Sequence, residues 1–167
     1  MKKILSFILL GATSLVASAQ ISSLDELSSD KAYTIYNPFY TTYAVYNAEK
    51  STSLVWAAGM TASDKTIADQ SYTTPFNAAD PSSSWMIVPF NEQWFVYNLG
   101  AKKFMAVGHT AANSSTASAK LQDTPVAVEF TSNGNGGFHL RSYDGNQNFL
   151  CAAPQLSYPI SIWTSAD

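Results

Sequence analysis

Residues 83–105 read SSWMIVPFNEQWFVYNLGAKKFM, and this stretch carries the pattern that decides the fold. Trp85 to Val88 is a strand-like apolar run, and Val96-Tyr97-Asn98 is a second one. Leu99 to Lys103 then fills the position of a hairpin turn, and the bulky apolar pair Phe104-Met105 follows it. The stretch therefore predicts short β-strands joined by tight turns.

The same pattern recurs on both sides of this stretch. The N-terminal copy consists of Tyr33-Thr-Ile-Tyr36, then Val45-Tyr46-Asn47, then Leu54-Val55. The C-terminal copy consists of Val128-Glu-Phe130, then Leu140-Arg141-Ser142, then Phe149-Leu150. The loosely regular interval between the copies indicates internal repeats of one supersecondary unit. A threefold all-β repeat points to an architecture and away from most enzymes.

Turn-forming residues separate the strand runs, and helical signals are scarce. The predicted turns and loops are Asn37-Pro38, Asn77 to Ser84, Asn133 to Gly137 and Asp144-Gly145-Asn146. One short helical turn is predicted from Ser22 to Leu27, with Ser22 or Ser23 as its N-cap. The polar stretches Thr61 to Gln70 and Thr110 to Ala119 are predicted surface loops, each around one short strand such as Ser118 to Leu121.

Residues 1–19 have the features of a cleaved signal peptide. Lys2 and Lys3 precede an apolar stretch over 4–16, and Ala17-Ser18-Ala19 forms a small-residue cleavage site. The apolar run is too short for a comfortable membrane span. We therefore expect a protein that is secreted, periplasmic or held at the cell surface, with no transmembrane segment in the mature chain.

Residues 20–167 have the length of a single domain that can bury a core of its own. The sequence ends on Ile160 to Asp167, where Ile160 and Ile162 alternate as in a last strand. Two alternatives stay open: this strand closes the fold, or the sequence is the truncated N-terminal part of a longer chain.

Composition limits the partners. The formal net charge is −3 and charged residues make up 13% of the chain, against about 25% in an average soluble domain. The sequence has no basic stripe, so nucleic acid and anionic membranes are poor partners.

Signatures of catalysis and of metal binding are missing from the sequence. His109 and His139 have no partners at ligand spacing, so we predict no metal site and no cofactor. The single cysteine, Cys151, has no cysteine to pair with and is expected to be a buried thiol. The acids are scattered and there is no nucleophile elbow, so we predict a protein that is not an enzyme.

The residues of the opening stretch resemble the ricin-type β-trefoil repeat. Ser83 takes the Gln place and Trp85 the Trp place of its Q-x-W strand, and Trp94 to Asn98 with Lys103-Phe104-Met105 resemble the strands that follow. The N-terminal LDELSSDKAYTI, residues 24–35, also resembles lectin-like modules in secreted proteins of gut Bacteroidetes. The resemblance implies an all-β fold: a β-trefoil of three four-stranded repeats, preceded by the signal peptide and one short helical turn.

A trefoil barrel takes matched large residues from every repeat, which predicts the core. The predicted core layers are Tyr33, Trp85 and Val128, and Leu54, Phe104 and Phe149. Along Trp94 to Tyr97 the alternation puts Trp94 and Val96 on one face and Phe95 and Tyr97 on the other. We expect one of these two pairs to be exposed.

The resemblance also implies carbohydrate binding, through an aromatic face for the pyranose and planar polar groups for its hydroxyls. The family usually places an Asp directly after the bulky pair, but the matching positions here are Trp56, Ala106 and Cys151. Substitute residues are available in the first and third repeats. The candidates are Trp56, Asp69 and Gln70, and Asp144, Asn146, Tyr158 and Trp163.

Three functions are compatible with these features. The first is a secreted, non-catalytic, ricin B-like module that binds a glycan or glycoconjugate and is expected to be monomeric. The second is a protein-interaction or inhibitor-type trefoil. The third is a structural ancillary domain of a larger hydrolase. The fold alone does not choose among them.

Overall fold

The computed structural model describes residues 20–38, 42–59, 76–107, 119–143, 149–151 and 161–163, the last two segments as backbone only. These residues form antiparallel β-strands and two single-turn 3-10 helices. The helices are η1 (Leu24–Glu26) and η2 (Pro81–Ser83). The strands are β1 (Ala32–Tyr33), β2 (Tyr36–Asn37), β3 (Thr42–Tyr46), β4 (Val55–Ala58), β5 (Trp85–Phe90), β6 (Gln93–Asn98), β7 (Lys103–Ala106), β8 (Lys120–Gln122), β9 (Val128–Ser132), β10 (Phe138–Ser142), β11 (Phe149–Cys151) and β12 (Ser161–Trp163).

The strands belong to two sheets that meet at one point. The larger sheet has the order β1-β5-β6-β9-β10-β11-β12, with β7 on β6 and β8 on β7, and the smaller has the order β2-β3-β4. Leu54 and Lys120 form an isolated bridge between β4 and β8. Beside it, the Val55 N–H donates to the Ala119 carbonyl at 3.1 Å. The two sheets therefore share one body.

The strand register recurs three times along the chain. Three residue pairs share the first position of the register: Tyr36 with Tyr43, Tyr97 with Phe104, and Arg141 with Phe149. Three further pairs share the next hairpin: Ala44 with Ala57, Met105 with Leu121, and Leu150 with Ile162. The repeating unit therefore begins at β1–β2, at β6 and at β10.

A fourth strand follows in the first two units. It is β5 in the first and β9 in the second, and each pairs with the first strand of its own unit, Trp85 with Tyr33 and Val128 with Trp94. The fourth strand of the third unit does not fall within the described residues. The three four-stranded repeats stay a prediction for that reason.

The phase predicted for the first copy is wrong. The prediction aligned Leu54-Val55 with Phe104-Met105, whereas the register aligns Tyr43-Ala44 with that pair. The step from Tyr36 to Tyr97 is longer than the step from Tyr97 to Arg141, because a long segment separates β4 from β5. A period estimated from the shorter step therefore misplaces the first copy.

The predicted core is correct for Trp85 and Val128, which are both 0% exposed. Leu54 and Phe104 are only half-buried, and their neighbours Val55 and Met105 are the fully buried residues. Tyr33 is half-buried, and the side chain of Phe149 lies outside the described part. Because successive strand residues face opposite sides, an error of one position exchanges core and surface.

The core lies where the inner faces of the two sheets meet. Its buried members are Ala44, Val55, Ala57, Trp85, Val96, Met105, Val107, Ala119, Leu121, Val128 and Leu140. Trp94 packs against this cluster with Val96, while Phe95 and Tyr97 on the other face of β6 are half-buried. The predicted division of β6 into two faces is confirmed.

The local turn signals are confirmed where the structure describes them. Ser23 caps η1 and forms a capping box with Glu26. Between β9 and β10, the Asn133 N–H donates to the Gly137 carbonyl at 3.0 Å. Gly134 and Gly136 both have φ of 76°, the left-handed region that favours glycine.

Candidate functional site

The seven predicted site residues lie in unequally described parts of the chain. Trp56 belongs to β4, and Trp163 belongs to β12, whose backbone alone is described. The other five fall outside the described residues: Asp69, Gln70, Asp144, Asn146 and Tyr158. The geometry therefore tests the surroundings of Trp56 and leaves the remaining assignments as predictions.

Trp56 lies opposite Val45 on the outer face of the β3–β4 hairpin. Its side chain is half-buried, and the Lys50 ammonium is 5.1 Å from the ring centroid. The indole Nε1 is buried and has no hydrogen-bond partner. Trp56 thus combines an aromatic surface and a flanking cation with an unused donor, although that donor is closed to solvent.

The register changes the position at which an acid is expected. The residues aligned with Ala106 are Val45 in the first unit and Cys151 in the third. Val45 and Ala106 are both buried and apolar, at 4% and 6% exposure. Trp56 instead aligns with Lys120, one strand later. The two positions whose side chains are described therefore supply no carboxylate to a ligand.

The structure reveals an aromatic cluster that the sequence analysis did not identify, here called the aromatic ledge: Tyr36, Tyr43 and Phe76. The Tyr43 and Phe76 rings stack at a centroid distance of 3.6 Å and an angle of 7°. Tyr36 lies 4.7 Å from Tyr43 at 39° and is 46% exposed. The signal for it was the Tyr-Asn step shared by Tyr36-Asn37 and Tyr97-Asn98.

The carboxylates with shifted pKa values cap turns. Hydrogen bonds from Ser22 and Ser23 lower the pKa of Glu26. A backbone hydrogen bond from Ser82 lowers that of Asp80, which caps η2. A side-chain hydrogen bond from Ser28 lowers that of Asp30. Each shift favours the ionised carboxylate, which matches a capping role.

Two searches for other site types returned nothing in the described part of the chain. No group of three or more His, Cys, Asp or Glu residues that could hold a metal ion occurs there. Over the same residues, no helix has the length and apolarity needed to cross a membrane.

Comparison with known proteins defines the class of fold. No protein-family model matches the sequence, and a search of curated proteins finds no match. In solved structures, however, the arrangement of strands is that of a ricin B-like lectin. The ricin B-like lectin of Macrolepiota procera, solved in complex with lactose, superposes with a TM-score of 0.59 at 13% sequence identity. The match covers 82% of this chain and 86% of the lectin, and it establishes a ricin-type lectin fold.

Proposed function

We propose that this protein is a secreted, non-catalytic carbohydrate-binding module. The observation that carries the proposal is the match of 82% of the chain to a lectin whose structure was solved with lactose bound. Ricin-type folds present ligands to loops and hairpins around a barrel, so binding needs no reacting group in the protein. Stacking and hydrogen bonding would supply the affinity.

The binding residues that we propose are the seven found in the sequence. Trp56, with Asp69 and Gln70, forms one group, and Trp163 with Tyr158, Asp144 and Asn146 forms the other. The exposed part of Trp56 and the nearby Lys50 ammonium support the first group, because both can contact a sugar at the hairpin surface. Two weak sites on one barrel would act together on a branched or repeating glycan.

The proposed life of the chain begins with export. Residues 1–19 are removed, and residues 20–167 form a β-trefoil of three four-stranded repeats, a module of the type found in secreted Bacteroidetes proteins. The lysines at the start and the Ala-Ser-Ala site support the cleavage. We expect the mature protein to be a monomer outside the cytoplasm.

A glycan array followed by titration tests the function. We expect the mature protein to bind one class of glycan, and we expect Trp56→Ala and Trp163→Ala each to weaken that binding. Tryptophan fluorescence titrated with lactose and with longer oligosaccharides gives the affinity. Absence of binding to every glycan at millimolar concentration would overturn the proposal and leave the protein-interaction and ancillary-domain alternatives.

A further inference from the structure

We propose that the aromatic ledge is a separate glycan-binding site, at which a pyranose ring stacks on Tyr36. The inference rests on the proposed carbohydrate-binding function and adds a site that the predicted residues do not include. It starts from one observation: Tyr36 is a large aromatic side chain that keeps 46% of its surface exposed while it is held against a buried stack.

The ledge is rigid before any ligand arrives. Tyr36 and Tyr43 are register partners on β2 and β3, so their backbones are held by the sheet. Phe76 stacks almost parallel on Tyr43 at 3.6 Å. A ring that is already held in place loses little conformational freedom on binding, and this favours affinity for a weakly held ligand such as a sugar.

Gly59 allows the stack to close. A Cβ at this position would lie 3.1 Å from Cδ2 of Tyr43 and 3.2 Å from Cβ of Phe76. The φ of Gly59 is also 86°, which few side chains tolerate. The chain therefore turns away at the end of β4 without a side chain that would separate the rings.

Hydrogen-bonding groups stand beside the rings. The Tyr36 hydroxyl belongs to the exposed ring, and Asn77 directly follows Phe76 in the chain. Asn77 is exposed, and its Oδ1 accepts from the Ala79 N–H at 3.0 Å, which holds the amide in place. An aromatic face with a hydroxyl and a planar amide is the set of groups that a pyranose needs.

The other two units do not offer the same open ring. Tyr97 lies between β5 and β7, opposite both Met86 and Phe104, and meets Phe104 edge-on at 4.9 Å. In the third unit the position is Arg141, which pairs with Glu129 at 2.7 Å. Tyr36 differs because β2 is the edge strand of its sheet. The geometry therefore assigns one such site, in the first unit.

The test compares two tyrosines of equal exposure. Tyr36→Ala should weaken binding of the glycans found on the array by about tenfold, while Tyr36→Phe should keep most of it. Tyr143→Ala is the matched control, because Tyr143 is 47% exposed and has no ring contact among the described residues. In the wild-type protein, the ring protons of Tyr36 should shift on addition of lactose or of the best array glycan.

The outcomes separate this inference from the function on which it rests. If Tyr36→Ala folds and binds like the wild type, or if the Tyr36 ring protons do not shift while binding occurs, the ledge is overturned and the carbohydrate-binding function stands. If the wild type binds no glycan, both fail together. The ring-proton measurement needs no variant, so it decides the question even if Tyr36→Ala does not fold.

Discussion

The indole Nε1 of Trp85 donates to the carbonyl oxygen of Ala44 at 2.9 Å, across 41 positions of sequence. Trp85 is 0% exposed and Ala44 is 3% exposed, so this bond is closed to water. It joins β5 of the larger sheet to β3 of the smaller one. A buried hydrogen bond between two sheets specifies how they are placed as well as stabilising them.

Trp85→Phe should destabilise the protein by about 3 kcal/mol, since it leaves the Ala44 carbonyl unpaired and creates a small cavity. The measurement is urea unfolding of the mature protein, read as a lower midpoint at unchanged slope. Trp94→Phe is the control, because Trp94 is half-buried and forms no indole hydrogen bond to a described residue. Equal effects of the two substitutions would contradict the importance of the bond.

Gly100→Ala should cost about 2 kcal/mol or more, because the new Cβ would lie 2.6 Å from the Ser82 nitrogen and 2.7 Å from its Cα. The backbone there cannot move freely, since the Gly100 N–H donates to the Pro81 carbonyl at 2.9 Å. Gly134→Ala is the comparison: its Cβ meets no atom within 4 Å, and only its φ of 76° is unfavourable, at about 1 kcal/mol. Thermal unfolding ranks the two, and a larger loss for Gly134→Ala would refute the steric argument.

Glu92→Gly should stabilise the β5–β6 hairpin by about 0.5–1 kcal/mol. Asn91 and Glu92 form its two-residue turn with φ of 50° and 61°, a geometry that suits Asn-Gly and strains a glutamate. Glu92→Ala removes the carboxylate but keeps the strain, so it should show no such gain. A denaturation midpoint for Glu92→Gly that does not exceed that of Glu92→Ala would rule out backbone strain as the cause.

Trp56→Phe should change stability by no more than about 1 kcal/mol, since loss of ring area and removal of an unpaired N–H oppose each other. The Nε1 of Trp56 is buried without a partner, whereas that of Trp85 has one. The same urea measurement therefore separates the two tryptophans. A loss for Trp56→Phe as large as that for Trp85→Phe would mean that this N–H finds an acceptor in solution.

The capping box at η1 should lose stability at acid pH. The Ser22 hydroxyl donates to Glu26 at 2.8 Å and the Ser23 N–H at 2.9 Å, and these bonds hold the pKa of Glu26 below its usual value. A lowered folded-state pKa stabilises the protein above the unfolded-state pKa of about 4.3, and this contribution is lost as the pH falls through the folded-state pKa. The stability difference between wild type and Glu26→Gln should therefore be present at pH 7 and vanish near pH 3. A difference that is independent of pH would exclude the charge as its source.

Local features could be read from the residues because local interactions produce them. The Ser23–Glu26 capping box needs only four consecutive residues, and the 133–137 turn needs only glycines at the two positions with positive φ. The alternation along β6 is equally local. Trp85 and Val128 were predictable as core residues because large apolar residues recur at matched strand positions.

The candidate site was less predictable. Trp56 was chosen because it follows the pair Leu54-Val55, but the register places it in a different strand from Ala106. The long segment between β4 and β5 carries no marker of where the unit resumes, so spacing could not reveal the shift. The residues around Asp69 and Asp144 stay predictions.

The sequence alone determined that this protein is all-β, where its strands turn and which residues cap its helical turns, since each follows from neighbours in the chain. Only the tertiary structure decided the register of the first unit and the exposure of its tyrosines. Tyr36 and Tyr97 occupy the same place in their units, yet one lies on an edge strand and the other between two strands. Exposure depends on which strands pair alongside a residue, and that pairing brings together residues distant in the sequence.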